Sequence, residues 1–190
     1  MEYKCWYHSN FDLLSQARPS WTWPDHDLRL PLVWCLTPNA MFDDDILASL
    51  CSQGLPLLSV LLFYKPPWFS NWAAHIDTYF NDPGRPSVAG FNTVFDTDDS
   101  DFVWYETPAI NGATKRTMAG TPFFEWPITQ LREVTRHCLG PGMTMVRTDI
   151  PHAIAVRSQA RKSISFRIDI QHDSWQEAVD FYLSKGIIYS

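Results

Sequence analysis

The chain has 190 residues, 45% of them hydrophobic and 15% aromatic, with a net charge of −6. That composition supports a packed core, which excludes wholesale disorder. The acidic balance argues against a bulk nucleic-acid binder that relies on phosphate attraction, and no apolar run approaches the ~20 residues needed to span a bilayer.

Taken in chain order, the first segment (MEYKCWYHSNFDLL) has one Lys and no long apolar stretch, so no secretory signal is expected and a cytoplasmic location is. A single domain, 1–190, is expected. Asp25-His26-Asp27 beside Trp21 and Trp23 reads as a surface loop. The first strand is predicted at Leu30–Leu36. A helix should follow Asp43–Asp45, with Ile46, Leu47, Leu50 and Cys51 on one face and a stop at Gly54. Short apolar or β-branched runs predict strands at Leu57–Tyr64, Asn71–Asp77, Val88–Phe95 and Phe102–Glu106. The acidic run Asp96, Asp98, Asp99 and Asp101 lacks the Gly and distal Glu of a calcium loop and reads as a solvated hairpin loop. Thr107–Trp126 is expected to be a long loop with Lys115 and Arg116 at its tip, placed to cover the site and influence substrate choice.

Ile128, Leu131, Val134 and Cys138 fall at helical spacing, with Gly140-Pro141 as a stop, so a helix is predicted over Ile128–Leu139 with His137 exposed. Strands are then expected at Met143–Arg147, His152–Arg157 and Ser163–Ile170. In the last, Ile164, Phe166, Ile168 and Ile170 alternate with Ser163, Ser165, Arg167 and Asp169. Ser174 and Glu177 form a capping box for a final helix ending near Gly186. Cys5, Cys35, Cys51 and Cys138 are scattered and form no CxxC pair, so they read as free thiols.

Three elements carry chemistry. His75 and Asp77 stand two apart, so on a strand they share a face and can converge on one ion. Alone, so short a motif is also the pattern of a hydrogen-bonded pair at a strand end. His152 follows Pro151, which cannot donate to a sheet ladder and so fixes how the strand begins. Two imidazoles and a carboxylate match the facial triad of non-haem Fe(II) oxygenases. Arg161 and Ser163, also two apart, can clamp a carboxylate.

In this order (HxD, distal His, RxS) and in a Trp-rich β domain, the chain resembles the Fe(II)/2-oxoglutarate-dependent oxygenases. The resemblance implies a mainly β fold, a double-stranded β-helix (jelly-roll, cupin-like) with flanking α-helices. The core would span about 57–170, with strand and helix decoration over 1–56 and a C-terminal helix over 171–190. It implies Fe(II) held by His75, Asp77 and His152, and 2-oxoglutarate gripped at its distal carboxylate by Arg161 and Ser163. Tyr64 and Asn92 would be further donors to the cosubstrate. Arg157 falls at the wrong parity for the clamp. Arg167 has the right parity but lies deeper and reads as an ion-pair partner. The implied reaction consumes molecular oxygen and hydroxylates a small molecule or an amino-acid or peptide side chain. The retained Asp77 argues against a halogenase. Rival readings are a cupin-like metal enzyme that does not use 2-oxoglutarate and a non-catalytic binding module.

Overall fold

A computed structural model describes residues 4–67, 73–79, 82–95, 99–108, 112–116 and 122–189. In chain order the elements are β1 (Trp6–Ser9), β2 (Leu32–Leu36), α1 (Asp44–Ser52), β3 (Leu57–Lys65), β4 (Ala73–Tyr79), β5 (Asp82–Pro86) and β6 (Ala89–Phe95). They continue with β7 (Ser100–Tyr105), β8 (Ala113–Arg116), β9 (Pro122–Pro127), β10 (Glu133–Cys138), β11 (Met143–Arg147), β12 (His152–Val156), β13 (Arg161–Ile168), α2 (Trp175–Ser184) and β14 (Ile188–Tyr189). The protein is mainly β. One seven-stranded antiparallel sheet runs β14-β1-β11-β6-β13-β3-β2. The other runs β10-β7-β12-β4-β9-β8, with β5 added on β4. No helix among the described residues is long and apolar enough to cross a membrane.

The alternation read in β13 sorts its side chains between two interiors rather than between core and water. Ile164, Phe166 and Ile168 join Phe91, Val60 and Leu62 in a core that also takes in Leu50, Ala178, Val179 and Tyr182 of the two helices. Arg161, Ser163 and Ser165 are also buried, and with Arg167 they line a cavity reached from both sheets. A strand with one apolar and one polar face ordinarily signals a solvated side; here the polar side is the site.

Both helices begin as their sequences specify. Asp44 and Asp45 occupy the first turn of α1, where the helix dipole favours them. Ser174 caps α2 by accepting from the Glu177 N–H, while the Glu177 carboxylate accepts from Asp173 N–H, one residue before the cap. The flanking segments do more than decorate: β1, β2 and β14 all belong to the first sheet.

Three expectations are corrected. The helix over Ile128–Leu139 is a 3₁₀ turn followed by β10, which pairs with β7 through His137↔Phe102 and Cys138↔Asp101. The apolar spacing imitates a helix, but Val134 and Thr135 are β-branched and the open ladder of β7 offers partners no isolated helix could match. His137 consequently stacks on Trp6, ring centroids 3.6 Å apart. The long loop Thr107–Trp126 contains the hairpin β8–β9, so Lys115 and Arg116 sit on an edge strand, not at a loop tip. Its residues 109–111 and 117–121 lie outside the described residues, as do Asn71 and Trp72 of the predicted third strand and Asp96 and Asp98 of the acidic run. Asp101 is not solvated either, being buried against Arg157, while the partly exposed Asp99 accepts from Ser158 and Gln159 backbone N–H groups.

Candidate metal centre

β4 and β12 meet at one register pair, His75↔His152. Residues directly opposite on an antiparallel ladder face the same side, so this pairing puts both imidazoles on the cavity face. Asp77, two residues along β4, joins them. The ring centroids of His75 and His152 are 4.4 Å apart. His75 Nε2 lies 3.7 Å from Asp77 Oδ1, and His152 Nε2 lies 3.7 Å from Asp77 Oδ2. One ligand atom from each residue falls within 4.8 Å of the other two.

The protonation states suit a cation. His152 Nδ1 lies 3.0 Å from the Ile150 carbonyl. Donation to that oxygen keeps the proton on Nδ1 and leaves the Nε2 lone pair facing Asp77. Phe102 stacks on the same ring at 5.0 Å and holds its plane. Burial pushes the His152 pKa down. His75 is a third exposed at the cavity wall, yet burial, and then His152, take its pKa down to about 3. For Asp77, burial opposes the charge, but Arg167 and the two imidazoles outweigh it and hold the carboxyl well below its ordinary range. Two neutral imidazoles and an ionised carboxylate are the forms in which these side chains bind a metal. His75, Asp77 and His152 could therefore hold a metal ion between them.

Arg167 Nη2 donates to Asp77 Oδ2 at 2.7 Å, with both side chains about 15% exposed or less. The ion-pair role read from its parity is therefore directed at a member of the triad. Gly90 makes room for it, because a Cβ there would stand 3.0 Å from Arg167 Nη1.

The cavity beside the triad has a volume of about 300 Å³. Arg161 and Ser163 line it, as their two-residue spacing predicts. Arg161 Nη1 donates to Ser100 Oγ at 3.0 Å, and its Nε faces Ser163 Oγ at 3.4 Å. Burial pushes the Arg161 pKa down to about 10. Asn92 pairs in register with Ser165 and also lines the cavity. Tyr64 borders it too, but register places Tyr64 opposite Lys162 on the other face of β3, and its hydroxyl donates to the Leu28 carbonyl at 2.8 Å. His26 packs edge-on to the Tyr64 ring, centroids 4.5 Å apart, which ties the Asp25–Asp27 loop to the strand behind the cavity.

The residue that faces Arg161 across the ladder is Lys65. It lines the cavity, and burial, with Arg161 next, pushes its pKa down to about 7. Sequence reading missed it. A Lys closing an apolar run reads as the strand reaching solvent, and only the β3–β13 register brings it inside. The rest of the wall is largely apolar, with Leu32, Phe63, Phe123 and Ile154 among its members.

No family model matches the sequence, and no curated protein matches it.

Proposed function

We propose that the protein is an Fe(II)- and 2-oxoglutarate-dependent oxygenase that hydroxylates a small molecule or an amino-acid or peptide side chain. One observation carries the reading: His75, Asp77 and His152 converge in the same cavity as Arg161 and Ser163. The strand order supports the matching fold. β3-β13-β6-β11 and β4-β12-β7-β10 are contiguous in the two sheets, an order compatible with a double-stranded β-helix.

In this reading His75, Asp77 and His152 hold the iron, which with 2-oxoglutarate and oxygen supplies the oxidising chemistry that no side chain can provide. Arg161 and Ser163 bind and orient the distal carboxylate of 2-oxoglutarate. Ile150 and Phe102 hold the His152 ring, and Arg167 keeps Asp77 ionised and aimed. Phe63, Phe123 and Ile154 keep water from the reacting centre.

The test is an anaerobic titration with Fe(II) and then 2-oxoglutarate, following the visible metal-to-cosubstrate charge-transfer band. A band in wild type that is lost in His152→Ala and weakened in Arg161→Ala supports the reading. Iron binding with no band moves the assignment to a metal enzyme that does not use 2-oxoglutarate. Absence of any divalent-metal binding leaves a binding module.

A further inference from the structure

We propose that the outer edge of β2 is a self-association surface, on which a second copy of this chain pairs its own β2 antiparallel about a two-fold axis at Trp34. The inference does not depend on the functional reading above.

Strand edges in native proteins are normally blunted by charge, proline or shortness, because their open backbone groups invite another strand. Most edges here follow that rule. β8 carries Lys115 and Arg116, β10 carries Glu133 and Arg136, and β14 has two residues. β5 carries Asp82, Arg85 and two prolines. β2 departs from it. It ends the first sheet, pairs with β3 alone among the described residues, and reads Leu-Val-Trp-Cys-Leu with no charge. Trp34 is 45% exposed, and Leu28 and Leu30, just before the strand, are 58% and 59% exposed.

A second copy fits this edge because the edge complements itself. Pairing about Trp34 sets Leu32 opposite the partner's Leu36 and Val33 opposite the partner's Cys35, so every residue of β2 meets an uncharged one. Pro31 and Pro38 flank the strand and lack the N–H that a slipped ladder would need. The two Trp34 side chains meet across the axis, and aromatic pairs directly opposite one another stabilise a ladder. The flanks match in charge. Arg29, which pairs with Asp27 yet keeps its side chain 86% exposed, is carried toward the partner flank that bears the exposed Asp43, Asp44 and Asp45. A two-fold contact of this kind closes at two copies and leaves neither edge open. Leu32 and Val33 also line the cavity, so the partner's β2 becomes the next strand beside the cavity wall.

The experiment is sedimentation velocity of the metal-free full chain from about 1 to 300 µM, since a five-residue edge belongs at the weak end of specific interfaces. Wild type is expected to pass from the mass of one chain to twice that mass, with a dissociation constant on the order of 10 µM. Trp34→Lys sets two ammonium groups across the axis and should weaken association at least ten-fold. Trp34→Cys brings two thiols to a Cα separation of about 4.5–5.5 Å, within disulfide reach, and should link two chains on treatment with diamide. Native Cys35 lies diagonal to its copy, about 7–8 Å away, so wild type should not link at that position. A wild type that stays monomeric at the highest concentration overturns the proposal and leaves the edge to an extended segment of another protein. A dimer that Trp34→Lys leaves intact lies on another face and overturns it too. Absence of a link in Trp34→Cys overturns the two-fold at Trp34. If Trp34→Lys does not fold, the wild-type mass and the Trp34→Cys link decide without it.

Discussion

Arg167→Met tests how Asp77 is held. The substitution keeps an unbranched apolar stem and deletes the 2.7 Å bond from Nη2 to Asp77 Oδ2. Removing one partner of a fully buried ion pair costs about 3–5 kcal/mol, because the other charge is left without compensation. The side chains here are 15% and 13% exposed, so some water reaches the pair, and roughly 2–3 kcal/mol is the appropriate expectation. For a chain of this size 1 kcal/mol moves Tm by about 2–4 °C, giving a fall of about 4–12 °C in the metal-free protein. The assay is differential scanning calorimetry of wild type and variant, with and without saturating Mn(II) as a redox-inert probe. An ion at the triad supplies Asp77 with a countercharge, so the gap between the two proteins should narrow when Mn(II) is present. A fall below about 1 °C, or a gap that ignores the ion, would refute the claim that Arg167 compensates Asp77.

Further expectations follow from other parts of the structure. Lys65 has a folded pKa of about 7 against an ordinary 10.5, so between those values the unfolded chain holds a proton that the folded one lacks. Stability must then rise with pH across that window. Burial and the neighbouring Arg161 penalise charged Lys65 fully below pH 7, so metal-free Lys65→Met should melt above wild type at pH 6, and the two curves should converge by pH 10.5; parallel curves would contradict the shift. A Cβ on Gly112 would stand 2.7 Å from the Trp126 ring and 2.9 Å from the Glu125 carbonyl. Gly112→Ala should therefore cost about 1–3 kcal/mol by overpacking, read as a lower urea midpoint with little change in m. Ions that bind the folded state stabilise it by mass action, so EDTA should lower the Tm of Mn(II)-loaded wild type and leave His152→Ala, treated in the same way, unmoved.

Much of the site was legible because it is written in short-range spacing. Residues i and i+2 share a strand face, so His75 with Asp77 and Arg161 with Ser163 could be paired without knowing any partner strand. The alternation in β13 likewise named both of its faces. What spacing could not supply was register. Lys65 faces Arg161 only because β3 and β13 align as they do, and a shift of one residue would have offered Tyr64 instead. The same limit explains β10. Its apolar residues fit a helix locally, and the competing ladder belongs to a strand some thirty residues earlier in the chain. Arg167 was visible as an ion-pair partner, but its target on β4 required the two sheets to be brought face to face.

The single rung between β4 and β12 has a mechanical meaning. Most neighbouring strands are held by several consecutive pairs, as in the five between β12 and β7. Here one pair, His75↔His152, closes the seam, and its two residues are the imidazoles of the triad. An ion bound there would act as a rivet across the thinnest join in the second sheet. Its departure would loosen that join, so occupancy and the stability of the seam are linked. Amide exchange along β4 and β12 would report loading directly, even before any substrate is known.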